Sequence, residues 1–293
     1  MSSKTILGVK IIVLTIILLI CYFLSAAISG LSSTLAESSA QSSSAEDNLP
    51  LLIMFLTFLF PTMVLTLIIL RSRWYGWRLI AAVFLAFYGV NTVLAQIESA
   101  IFLPEILPQG MVLKLFVMGA ILAGIFSPIA VLVLGKMKRK EEPLISERPL
   151  GVISKDIQFK LAIISVIYML LYFIFGYFIA WKNPLIQNYY GAKDAGNFFA
   201  QLAWIWANTP WIFPFQAFRG FLFSLFTLPT IRMLKGSSWE IGFIVGVLLI
   251  IWSGQLILPN PYMPAEVARI HLVESVPYHF VFGFFMGYLL SRR

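Results

Sequence analysis

Pro259 to Arg293 reads PNPYMPAEVARIHLVESVPYHFVFGFFMGYLLSRR, and it holds both histidines of the chain. Taken as one helix from Ala265 to Leu290, it places His271, Ser275, His279, Gly283 and Gly287 one after another at i, i+4. Gly283 and Gly287 form a small-residue pair that lets a second backbone come close in a bilayer. Glu274 falls on the same side as His271, and Pro277 should kink the helix between the two histidines. An apolar helix of this length crosses a membrane. Lipid does not accept ionisable groups without partners, so the stripe must face protein. The fold implied is an all-α, polytopic membrane helix bundle.

The rest of the chain agrees. Of its 293 residues 60% are hydrophobic and 12% charged, against about 25% charged in soluble proteins. The longest polar stretches are too short for a soluble domain, so residues 1–293 read as a single integral membrane domain. The net charge of +8 does not suggest nucleic acid, because the basic residues sit in short loops between apolar runs. Cys21, the one cysteine, leaves no internal disulfide and no cysteine metal cage.

About eight spans follow: Ile6–Ser29, Pro50–Leu70, Leu79–Ile101, Met111–Leu134, Leu161–Ala180, Trp211–Ile231, Trp239–Leu258 and the last helix. The small residues Ser25, Ala26 and Ala27 make a cleaved signal peptide the competing reading of the first run, and the length of that run favours a retained span. Residues 30–49 read as a flexible, Ser-rich extracytoplasmic loop, and residues 136–160 as a basic cytoplasmic loop. Trp181 to Asn197 reads as a turn-rich loop. Residues 198–207 form an interfacial helix too short to span. Ser237 to Glu240 is a capping-box pattern ahead of the seventh span. Lys and Arg concentrate on the loops that share a side with the N-terminus, which puts both termini in the cytoplasm and the chain in a cell membrane, of the bacterial inner-membrane type.

Depth gathers the polar residues. At about 1.5 Å per residue, Arg219 lies roughly 20 Å above the cytoplasmic edge and His279 at a similar height. Gln255, Glu274 and Glu98 come out nearer the outer boundary. Gln216, Arg219, Gly220, Ser224 and Thr227 form a small and polar side of the sixth span. An arginine at that depth needs an anion, and Glu98 and Glu274 are the available ones. The expectation is an outward-opening polar pocket lined by Asn91, Glu98, Gln216, Arg219, Gln255, His271, Glu274 and His279. A buried network that only fixes helix packing is the competing reading.

Phe215 to Phe223, FQAFRGFLF, resembles the Arg-Gly part of the EExxxRG motif of the CPBP intramembrane protease family and its non-proteolytic relatives. Pro214 and Phe215 stand where that family's two glutamates would be, so no catalytic role carries over. GFFMGYLL, at Gly283 to Leu290, is similar to a later helix of the same family. Through GYFIAW, NYYG, PNPYMP and RIHLVE the chain also resembles bacterial multi-spanning membrane proteins, a resemblance that implies no activity.

Three functions compete. A charged outer pocket over an apolar bundle suits binding, sensing or transport of an amphiphile, a lipid or a small polar solute. A membrane-embedded metal-dependent hydrolase would draw its ligands from His271, Glu274, His279 and Glu98, with Arg219 stabilising an anion. A structural or assembly component would use the polar groups only to pair with each other. No Walker motif, dinucleotide fingerprint or GxSxG is present, and the residues name no cofactor.

Overall fold

With no water to take up backbone N–H and C=O groups, apolar runs in lipid close their hydrogen bonds within each segment. The computed structural model describes residues 3–33, 49–138, 155–194 and 196–292, and among them the architecture is helical throughout. The helices are α1 (Ser3–Ser29), α2 (Leu49–Arg71), α3 (Gly76–Tyr88), α4 (Leu94–Phe102), α5 (Met111–Val133) and α6 (Lys155–Phe175). They continue with α7 (Pro184–Tyr190), α8 (Phe198–Asn208), α9 (Ile212–Met233), α10 (Ser238–Leu249) and α11 (Ala265–Ser291).

Six segments among the described residues are long and apolar enough to cross a membrane: Lys4–Ser29, Leu51–Arg71, Gly76–Phe102, Met111–Val133, Lys155–Trp181 and Ser238–Ile257. The pair α8 and α9, bent by 98°, makes a seventh if taken as one broken span. The described residues therefore give a polytopic membrane architecture with six or seven such segments, against the eight expected. α11 is long enough but is not among them, because the polar stripe that singled it out also dilutes its apolar character. It runs unbroken through Pro277.

One end of the bundle is basic. The turns after α2 and α9 are clipped together by an isolated antiparallel bridge, with Arg73 N donating to Met233 O at 2.7 Å and Lys235 N to Arg71 O at 2.9 Å. Lys136, just after α5, donates through Nζ to Ser72 O, and its own carbonyl accepts from Gly76 N. Lys160 Nζ reaches Arg292 O at 3.0 Å, joining the start of α6 to the end of α11. Ser237 and Glu240 form the expected capping box on α10, and Glu240 also pairs with Arg71 at 2.6 Å. At the opposite end Lys114 Nζ lies 3.5 Å from Gly30 O, setting the end of α1 beside the start of α5.

α10 and α11 form a close antiparallel hairpin. A Cβ on Gly283 would sit 2.8 Å from Gly246 Cα, and one on Gly287 would sit 2.9 Å from Gly242 Cα. The two backbones touch where each sequence supplies glycine four residues apart.

Elsewhere the structure corrects the expected boundaries. The third span is not one α-helix: a π-helical segment, Gly89–Val93, joins α3 to α4. A Cβ on Gly89 would run into the Phe226 ring, so α9 packs against bare backbone there. α6 starts at Lys155, inside the expected basic loop, and ends in a second π-helical segment, Gly176–Trp181. The seventh span changes to a 3-10 helix over Ile251–Ile257. The expected loop after Trp181 contains α7, begun by Asn183, whose Oδ1 accepts from Leu185 N, with Pro184 in the first turn. The short helix expected over residues 198–207 spans Phe198–Asn208. Most of the expected Ser-rich loop and of the basic loop lies outside the described residues.

Candidate functional site

α9 carries the decisive side chains because its small and polar residues face inward. Gln216, Arg219, Gly220, Ser224 and Thr227 are all buried. Arg219, 2% exposed, donates through Nη2 to Glu98 Oε2 at 2.7 Å and to Leu94 O at 3.4 Å. Its Nη1 donates to Gln216 Oε1 at 3.0 Å. The Tyr168 and Phe215 rings lie within 5.5 and 5.9 Å of the guanidinium carbon. A buried arginine is tolerable only with such compensation.

Glu274 does not share the arginine. It accepts from His271 Nδ1 at 3.0 Å, and His271 Nε2 lies 3.0 Å from the Tyr190 hydroxyl. Loss of water around that hydroxyl, with smaller contributions from nearby groups including Glu98 and Glu274, raises the tyrosine's pKa, so the phenol keeps its proton. Nδ1–H donates to the carboxylate, and the Tyr190 hydroxyl, which can donate or accept, completes a Tyr190–His271–Glu274 chain. The expectation that offered Glu274 beside Glu98 as the anion for Arg219 is thereby corrected. The two residues belong to separate pairs because α7, read as loop, brings Tyr190 up to α11.

His279 is 2% exposed and ringed by Tyr278, Trp252 and Phe223, with ring centroids at 4.1, 5.2 and 5.5 Å. Its Nδ1 lies 2.9 Å from Ser275 O, a carbonyl that can only accept, so Nδ1 carries the proton and Nε2 is an acceptor. That Nε2 has no hydrogen-bond partner. Ser275 shares a hydroxyl–hydroxyl bond of 3.1 Å with Ser253 of the 3-10 segment. Gln255 is exposed and donates to Asn91 O at 2.7 Å, tying the 3-10 segment to the π-helical segment after α3.

These groups surround one cavity of about 930 Å³ at the end of the bundle away from the basic turns. Asn91, Glu98, Gln255, His271, Glu274 and His279 line it, whereas Arg219 and Gln216 stand behind its wall. Most of the lining is apolar, from α1, α2, the start of α5 and the residues around Trp204 and Trp211. Both π-helical segments and the 3-10 segment contribute wall residues, among them Asn91, Trp181 and Trp252. Such departures from α-helix are frequent at functional sites. Buried polar atoms without partners include Gln96 Oε1 and Trp252 Nε1 in the wall, and Tyr168 Oη, Gln216 Nε2 and Arg219 Nε around it. Native proteins leave few such atoms, so the concentration calls for an explanation.

No family model matches this chain, and neither a curated protein nor a solved structure does. Among the described residues no three His, Cys, Asp or Glu side chains converge to hold a metal ion. Of the four candidate ligands, Glu98 is committed to Arg219 and Glu274 to His271. Sequence reasoning missed Gln96, Tyr190 and Trp252 as wall residues. Tyr190 stood in the quoted NYYG phrase, and Gln96 lies two residues before Glu98, but neither had a periodic pattern to mark it.

Proposed function

We propose that the chain is a multi-pass cell-membrane protein that binds an amphiphile in this cavity, within the outer half of the bilayer. The supporting observation is the cavity itself: apolar walls of ligand size, with polar groups converging at one part of the lining. An amphiphile needs both kinds of surface, and a network serving packing alone needs no such volume. Eight crossings with both ends cytoplasmic fit the meeting of α2, α3, α5, α6, α9, α10 and α11 at the basic end. Counting that way, α11 and α9 each cross on their own.

Two experiments test this. A photoactivatable C12 amphiphile with an uncharged head should label the protein in nanodiscs at cavity residues. Ala95→Trp, which fills the lining, should abolish that labelling while the protein still melts cooperatively. Equal labelling of the filled variant would overturn the binding reading. For topology, Cys21 is buried, so cysteines placed at Lys138 and Lys193, both exposed, can be labelled selectively. Impermeant reagent should reach them from opposite sides of the membrane, and reaction from one side would overturn the orientation.

A further inference from the structure

The basic end of the bundle gathers its cations instead of spreading them. The antiparallel bridge between Ser72 and Leu234 sets Arg71 opposite Lys235, whose N donates to Arg71 O. A Cβ on Gly236, the next residue, would lie 3.1 Å from Arg71 Nη2. Arg73 follows in the same turn, and both Arg73 and Lys235 are exposed. Two more cations are fixed beside them on aromatic rings, Arg78 over Trp74 at 4.2 Å and Lys136 over Tyr75 at 4.4 Å. Like charges facing each other across paired backbones are destabilising, so this grouping gains from an added anion.

The chain supplies few anions there. Among the described residues the carboxylates at this end are Asp156 and Glu240. Asp156 pairs with Lys160 at 2.7 Å, and Glu240 pairs with Arg71 at 2.6 Å while also capping α10. Residues 139–154 carry Glu141, Glu142 and Glu147 but also Arg139, Lys140 and Arg148, so their sequence adds no net charge.

A basic cluster could be solvated and nothing more. The apolar surface around this one argues otherwise. Trp77, 76% exposed, lies in the first turn of α3, and Trp239, 64% exposed, in the first turn of α10. Exposed tryptophans sit at the head-group level of a bilayer. The Arg71–Glu240 pair ties the end of α2 to the start of α10, and in the turns next to it α2 exposes Leu67 and Leu70 while α10 exposes Phe243. Positive charge thus stands directly beside surface that suits acyl chains.

We infer that this end of the bundle binds an anionic phospholipid, with its phosphate at Arg71, Arg73 and Lys235 and its acyl chains along the exposed apolar sides of α2 and α10. The phosphate brings the negative charge that the grouping lacks, and Arg and Lys side chains both recognise it. A zwitterionic head group carries its own ammonium and answers less of the charge. A free phosphate would meet the same cations and leave the apolar flank without a partner. This surface lies at the end away from the cavity, and its occupant does not depend on what the cavity takes.

The test is lipid binding to the full chain in detergent, read by native mass spectrometry and by melting temperature. Phosphatidylglycerol is compared with phosphatidylcholine of the same acyl chains. Phosphatidylglycerol should stay bound and raise the melt more than phosphatidylcholine, and high salt should narrow the difference. Arg73→Gln with Lys235→Gln should weaken phosphatidylglycerol roughly fivefold for each charge removed. The bridge itself uses backbone groups, so this double variant should melt like the parent without lipid. Should it melt early, Arg73→Gln alone carries the comparison. Lys182→Gln with Arg269→Gln removes two exposed charges at the other end and should leave lipid binding unchanged. The inference is overturned if phosphatidylcholine binds as well, or if both double variants weaken phosphatidylglycerol alike. If inorganic phosphate raises the melt as the lipid does, the site is one for free phosphate and the lipid inference is wrong.

Discussion

The α10–α11 hairpin and the interface of α9 with α3 and α4 solve the same problem in opposite ways. In the hairpin, glycines bring two helices into backbone contact, with no room for a side chain between them. Around α9 an arginine, a glutamate and a glutamine fill the interface, the neighbouring helix breaks into a π-helical segment, and polar atoms are left without partners. The first arrangement gains dispersion and close packing. The second costs hydrogen bonds and desolvation for no evident gain in packing. The second arrangement lies beside the cavity, and the proposed amphiphile binding would give it a use other than packing.

Substitutions can break this contrast. The largest effect should come from Glu98→Gln, which leaves Arg219 buried with no anion and should cost about 3 kcal/mol or more in thermal unfolding. Arg219→Met should cost less, because Glu98 is partly exposed and can take up water or a proton. The double variant should recover part of the loss, and strict additivity would show that the pair is not coupled. Combining Arg219→Met with Glu274→Gln should instead be additive, since Glu274 pairs with His271.

Next in size is Gly283→Leu. Its side chain would enter space where a Cβ already meets Gly246 Cα at 2.8 Å, so a loss of about 3 kcal/mol and a clear fall in melting temperature are expected. An unchanged melt would mean that the hairpin is not packed backbone to backbone. Ser237→Ala, which removes the α10 cap, should cost about 1 kcal/mol and leave amphiphile labelling unaltered. The smallest change in stability, well under that of Glu98→Gln, should come from Tyr190→Phe. It removes a single hydroxyl contact to His271, and altered labelling of the cavity mouth would be its main readout.

Much of this was legible in the residues. The i, i+4 stripe on the last helix marked the buried side that carries Ser275, His279, Gly283 and Gly287, because burial of a polar stripe in lipid follows from chemistry alone. Gly283 and Gly287 marked a close backbone contact, because small residues let a second helix approach in a bilayer. The depth of Arg219 required an anion, and Glu98 was one of two on offer. The choice between Glu98 and Glu274 could not be made from depth. It depends on the rotation of α4 and α11 about their axes, and the π-helical segment at Gly89–Val93 resets that rotation for α4.

What the sequence determined by itself was therefore the solvent: apolar run length and charge placement fix an all-helical membrane chain whatever its neighbours do. Only the tertiary structure decided the partners. His271 meets Tyr190 across 81 positions of sequence and Arg219 meets Glu98 across 121, and contacts between helices distant in sequence leave no periodic trace within either one. The cavity is the extreme case. Two π-helical segments and a 3-10 segment contribute to its wall, and their meeting from distant parts of the chain is set by tertiary packing, as where Phe226 lies against the bare backbone of Gly89.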